Sequence, residues 1–233
     1  MTVKKSMGLR ASYLFSALIA FTCLSSCASR DIFSSDSIAR PLAAGLVNII
    51  LPEASCTGVQ IDALRAITAA HCLYNRKGGG VVSLEEIRVV KDVGPPHVSV
   101  RVSSAEMFPG FAIASRAVDN FNYDVAVLTF SDLMPGSFQN PNTLNIPLRL
   151  GDELATVYYK NVKKHLELVE TPCSLLNRKK SVLVLDCPVD FGASGAPVYK
   201  IGRNGSSDLV AIIVAKAMWG RKRVALAVNV GSV

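Results

Sequence analysis

Three short stretches stand in one order along the chain: Thr68-Ala69-Ala70-His71-Cys72, then Tyr123-Asp124-Val125-Ala126-Val127-Leu128, then Gly192-Ala193-Ser194-Gly195-Ala196-Pro197. Each holds one member of a possible Ser–His–Asp constellation. A serine hydroxyl attacks an acyl carbon only when a base takes its proton. That base needs a carboxylate to fix its tautomer and steady the imidazolium. The order His, Asp, Ser constrains the fold, because unrelated hydrolase folds thread the same three residues in different orders.

Around these stretches, short Val/Ile/Leu-rich runs alternate with Gly, Pro, Asn and Ser, and helical periodicity is scarce. That pattern reads as a mostly antiparallel β protein. With 233 residues, half of them hydrophobic, the chain is long enough to bury a sizeable core. Strands are expected at 46–51, 57–61, 66–67, 87–90, 98–102 and 125–130 in the first half. In the second they are expected at 155–159, 166–169, 181–185, 197–200, 209–214 and 224–230. Residues 131–147, rich in Pro, Asn, Ser and Gly, read as a linker between the halves. Two groups of six strands fit an all-β fold of two antiparallel β-barrels with an active site in the cleft between them. The expected division is barrel 1 over 41–130, linker 131–147 and barrel 2 over 148–233. No internal sequence repeat is visible.

Ser194 is the candidate nucleophile. Gly192 and Gly195 permit tight, positive-φ backbone, which can aim the N–H groups of Gly192 and Ser194 at one point as an oxyanion hole. A Gly/Ser turn between strands is the plainer reading of this stretch alone. A nucleophile elbow of the Gly-x-Ser-x-Gly type is excluded: Ala196 stands at its last position, and no His follows Ser194. His71 is the candidate general base, since an imidazole titrates near neutrality. The chain has three His. His97 follows two prolines and His165 lies in a lysine-rich run, so both read as loop residues, and no pair has metal-ligand spacing. No metal and no cofactor are expected. Asp124 leads into an apolar run, so its buried carboxylate needs a partner, and His71 would supply it. Asp119 and Asp132 lead into no comparable run.

With Cys56-Thr57-Gly58 upstream, the three stretches make the chain, from about Leu46 onward, resemble the trypsin/chymotrypsin-like serine peptidases. The resemblance implies a chymotrypsin-like two-barrel fold, an acyl-enzyme mechanism, and His71, Asp124 and Ser194 as catalytic residues. It also implies a Cys56–Cys72 disulfide, which leaves Cys173–Cys187 as a second pair by exclusion. Phe108-Pro109-Gly110-Phe111 resembles the family's loop before the Asp strand. Two departures stand out. Ala193 replaces the Asp that digestive members pair with a freshly cleaved N-terminal amine, so activation of that type is not expected. Pro188, Val214, Ala215 and Lys216 fall at positions that line the family's substrate pocket. Pro188 gives no trypsin-like preference, Val214 cannot bond Asp124, and Lys216 would narrow the pocket or favour an acidic residue.

The N-terminus reads as a targeting segment over residues 1–26: Lys4, Lys5 and Arg10 precede an apolar run, Tyr13 to Leu24, too short to span a membrane. Leu24-Ser25-Ser26-Cys27 resembles a bacterial lipobox, with a lipid on Cys27 and residues 27–40 as a tether. Ordinary cleavage near Ala28 is the alternative. Either way the protein is expected to be exported, to the periplasm or envelope (the outer membrane if Cys27 is lipidated) or into the medium. Cys23 and Cys27 lie in or at the edge of the leader, and the four cysteines that remain agree with an oxidising compartment. The net charge of +7 falls to +4 when the three leader cations, with no leader anions, are removed. The remaining basic clusters carry no aromatic stacking platform, so nucleic-acid binding is not expected. The expected partner is a protein or peptide substrate, and the oligomeric state is open. Rival readings are an inactive homologue that binds a partner through its cleft, an esterase using the same residues, and a structural envelope lipoprotein.

Overall fold

A computed structural model of the chain describes residues 42–75, 80–91, 98–113, 118–136, 146–162, 165–202 and 205–232. The expectations for the leader, for Cys27 and Ala28, for the tether, for His97 and for residues 137–145 of the linker lie outside them. The described residues belong to one compact unit.

Strands β1 (Leu46–Ile50), β2 (Ser55–Gln60), β3 (Arg65–Thr68), β4 (Arg88–Lys91), β5 (Val98–Met107) and β6 (Ala126–Phe130) close into a barrel in the order β1-β2-β3-β6-β5-β4. Strands β7 (Glu153–Val162), β8 (His165–Lys179), β9 (Val182–Leu185), β10 (Pro197–Ile201), β11 (Ser207–Trp219) and β12 (Lys222–Asn229) close a second barrel. Its order, β7-β8-β9-β12-β11-β10, follows the same circuit. The fold is therefore all-β, with two six-stranded antiparallel barrels that share a topology although their sequences show no repeat.

Side chains alternate between strand faces, and β7 uses both. Leu154 and Tyr158 point into the second barrel's core, while Ala155, Val157 and Tyr159 belong to the core that also holds Leu46, Ile49, Leu73 and Leu128 of the first barrel. β11 divides likewise: Val210, Ala211 and Ile213 face inward, and Leu209, Ile212 and Val214 face the first barrel. Burial on both faces is why these strands read as unbroken apolar runs.

Three strands run far past their expected ends, and one of them is β11, which continues from Val214 to Trp219. β5 continues through Ser103-Ser104-Ala105-Glu106-Met107, and β8 continues from Glu170 to Lys179. Both change partners part-way. β5 pairs with β4 up to Arg101 and with β6 from Val102 onward. β8 pairs with β7 through Ser174 and with β9 from Leu175. These half-strands, each paired on one side only, bury few side chains past Val102 and Val169, so little apolar alternation marks them. Pro172 sits in such a half, opposite Ala155, where its missing N–H leaves no ladder bond unmade.

Candidate active site

The three stretches converge between the barrels. His71 lies on a 3₁₀ turn, Ala70–Leu73, at the end of β3. Asp124 follows a second 3₁₀ turn, Val118–Tyr123, and precedes β6. Ser194 lies in the loop between β9 and β10. Asp124 is 2 % exposed. Its Oδ1 accepts the His71 backbone N–H at 2.8 Å, and its Oδ2 stands 2.8 Å from His71 Nδ1. A carboxylate only accepts hydrogen bonds, so Nδ1 carries the ring proton and Nε2 is left with a lone pair. That lone pair faces Ser194 Oγ at 2.9 Å. The arrangement is that of a base-activated hydroxyl with an oriented base.

The serine loop has the backbone form its glycines suggested. Gly192 has φ +97° and Gly195 has φ +78°. A Cβ on Gly192 would run into the Tyr159 carbonyl oxygen, and one on Gly195 into the Thr57 carbonyl and Thr68 Oγ1. Along the loop, the N–H of Ala193 donates to Asp190 O at 3.2 Å and that of Gly195 to Ile213 O at 2.7 Å. The N–H groups of Gly192 and Ser194, which alternate with these, take no acceptor among the described residues. They flank the hydroxyl where an oxyanion would need donors. Ala193 itself is 1 % exposed and packs in the second barrel's apolar core. Its methyl needs no charged partner, whereas an aspartate there would.

A residue the sequence reading passed over links the barrels at this point. Thr57, fully buried on β2, donates its N–H to Ser194 O at 2.9 Å and its hydroxyl to Gly192 O at 2.8 Å. The only visible signal was its place in Cys56-Thr57-Gly58, quoted for its Cys and Gly. Asn122 was missed too. Its Oδ1 accepts both the N–H and the hydroxyl of Ser181, at 3.1 and 2.6 Å, tying the turn before Asp124 to the second barrel.

Beside Ser194 opens a cleft of about 420 Å³. Val214, Ala215 and Lys216 line it, together with Val189, Asp190 and Phe191 on the facing wall. Pro188 is not among its lining residues; the next two residues stand there instead. Val214 is buried in the core between the barrels, and both oxygens of the Asp124 carboxylate bond to His71, with no hydroxyl at position 214 to add a bond. Lys216 reaches across the cleft: its Nζ stands 3.6 Å from the centre of the Phe191 ring and 3.7 Å from Asp190 Oδ1. Lys160 holds the other oxygen of Asp190 at 2.9 Å. That bond, with the Phe191 N–H, holds the Asp190 carboxyl below its usual range and raises the Lys160 ammonium.

Cys56–Cys72 joins β2 to the turn carrying His71, and Cys173–Cys187 joins β8 to the segment after β9. Two disulfides fit an oxidising environment, extracellular or periplasmic. Among the described residues no helix is long and apolar enough to cross a membrane, and no group of three or more His, Cys, Asp or Glu could hold a metal ion.

No family model and no curated protein matches the chain. Among solved structures, the chain is similar to a Glu endopeptidase in complex with MPD, with a TM-score of 0.61 and 17% sequence identity. The match covers 81% of this chain and 85% of that one. At that identity the likeness shows the fold: this is a chymotrypsin-like two-barrel protein.

Proposed function

We propose that the chain is an exported serine endopeptidase that hydrolyses peptide bonds through an acyl-enzyme intermediate. The observation that carries this reading is the hydrogen-bonded run Asp124–His71–Ser194 at the wall of an open cleft, with the Gly192 and Ser194 N–H groups beside the hydroxyl taking no acceptor among the described residues. In the first step Ser194 Oγ bonds to the substrate's carbonyl carbon, and its proton passes to His71 Nε2. The carbonyl π electrons move onto oxygen, where the two N–H groups receive the charge. Collapse re-forms the carbonyl and breaks the C–N bond, and His71 returns the proton to the leaving amine. Water then repeats the sequence on the ester, releasing the acid and restoring the Ser194 hydroxyl. Asp124 keeps His71 in the tautomer that can accept.

Export rests on the leader-like N-terminus and the two disulfides. Cys27 is the proposed lipid attachment point, with cleavage near Ala28 as the alternative. A second reading, a binding protein with an inert cleft, draws on Lys216 lying across the mouth.

Covalent labelling by a fluorophosphonate separates the two. We expect an adduct on Ser194, mapped by mass, that is absent in Ser194→Ala and lost in His71→Ala. Folded, disulfide-bonded protein that takes no label would overturn the peptidase reading and favour the binding protein.

A further inference from the structure

We infer that Thr57 is a positioning residue for the oxyanion hole, acting through the carbonyls of Gly192 and Ser194. The inference rests on the acyl-transfer reading above. It concerns a residue of the first barrel that touches neither substrate nor the proton path.

The serine loop contains two kinds of peptide unit, in alternation. Those ending in the Gly192 and Ser194 N–H groups must leave their donors open. Those between and after them, Gly192–Ala193 and Ser194–Gly195, must not rotate, because their carbonyl orientations set where the open donors point. Each of these two is held at both ends. The Ala193 and Gly195 N–H groups donate to Asp190 and Ile213, and the Gly192 and Ser194 carbonyls accept from Thr57 Oγ1 and Thr57 N. One residue thus secures both carbonyl ends.

The polarity of the hydroxyl is settled by its neighbours. A threonine hydroxyl has one proton to give and lone pairs to receive. The Tyr159 N–H can only donate, and does so to Thr57 Oγ1 at 3.1 Å. The Gly192 carbonyl can only accept, so the hydroxyl proton goes to it. Thr57 is itself fixed, because its own carbonyl accepts Thr68 Oγ1–H at 2.8 Å, three residues before His71. The His stretch and the Ser stretch are therefore registered to each other through this one residue: its carbonyl meets Thr68, and its N–H and hydroxyl hold the serine loop.

The bond matters because of what it restrains. Gly192 has no Cβ to restrict its backbone, so without the hydroxyl its peptide unit would be held only at the Ala193 N–H, by a bond of 3.2 Å to Asp190 O. A rotation of that unit would carry the neighbouring Gly192 and Ser194 donors off target. The hydroxyl holds the Gly192 carbonyl toward the first barrel. The effect belongs to the transition state, where charge on the substrate oxygen develops, and only weakly to substrate binding.

The test compares wild type, Thr57→Val and Thr57→Ser on one peptide substrate found by library profiling. Removing an oxyanion donor outright costs about 10²–10³ in rate, so loosening its aim should lower kcat by about tenfold or more in Thr57→Val. KM should change by less than about twofold, as for an interaction made in the transition state. Inhibition by a peptidyl boronate, a tetrahedral analogue, should weaken in parallel with kcat, and Thr57→Ser should recover most of both. Thr57→Ala, which removes the hydroxyl without adding a second γ-methyl, should give the same split and serves if the valine variant does not fold. Unchanged kcat in the valine or alanine variant, or a loss that Thr57→Ser does not restore, overturns the inference. Wild-type labelling at Ser194 alongside those results leaves the peptidase reading standing, whereas an unlabelled wild type sinks both.

Discussion

Lys216 has two partners at the cleft and a firm hold on neither. Lys160 has the better grip on Asp190, at 2.9 Å against 3.7 Å, and among the described residues Lys216 is otherwise held by the face of Phe191. Two ammonium groups share the Asp190 carboxylate, and Lys216, the more distant of them, lines the cleft where a substrate side chain would enter. A carboxylate gives Lys216 a bond between opposite charges, while the amide oxygen of a Gln accepts only a weaker one. Peptides with Glu before the scissile bond should therefore be turned over about tenfold better than their Gln isosteres, and Lys216→Gln should erase most of that ratio. The ratio should also shrink with added salt. Equal turnover of the two peptides by the wild type would sink the idea. The cleft also shows what a residue-by-residue reading misses. His71, Asp124 and Ser194 were legible because their chemistry is rare and their neighbours distinctive. Thr57 and Asn122 were not, since Thr and Asn are common in strands and turns and their partners lie across the barrel interface.

Among the elements, strands buried on both faces and strands that alternate, such as β4 and β6, were both legible. β7 and β11 show as apolar runs because each serves two cores, and β5 fades past Val102, where no further side chain of the strand is buried. The junction before β7 carries a pair that pH can test. Asp152 Oδ2 accepts the Arg149 N–H at 2.8 Å and meets Lys200 of β10 at 2.8 Å. Burial pushes this carboxyl upward, but the Lys200 bond, the Arg149 N–H and their charges outweigh it, so it titrates below its ordinary 3.8. A depressed folded value means the native state holds the proton less tightly than the unfolded chain does. The pair's contribution is then complete above about pH 4 and is lost as pH falls through the folded value. With both side chains mostly covered, that contribution should be about 1 kcal/mol. Urea denaturation between pH 6 and 2 should show Asp152→Asn less stable near neutrality and with a shallower acid limb. An acid limb identical to wild type would exclude the pair as a source of that pH dependence.

For the whole molecule, the order of three motifs announced two barrels but not how they are joined. The first core does not stop at the first barrel. Val157 and Tyr159 of β7, Leu209, Ile212 and Val214 of β11, and Val228 of β12 complete it. Thr57 and Asn122 then make polar bonds across the same interface. A first barrel unfolding alone would expose those six apolar side chains of the second, along with the carbonyls that Thr57 holds. That cost is shared, so the barrels should unfold together and not in sequence. The chain's one tryptophan, Trp219, reports on the second barrel from the end of β11. Its fluorescence in urea should change at the same midpoint as hydrogen-exchange protection of the β1 and β2 amides, with both disulfides intact. Loss of β1 and β2 protection at clearly lower urea would mean that the first barrel opens independently, and that the interface aligns the active site without holding the two halves together.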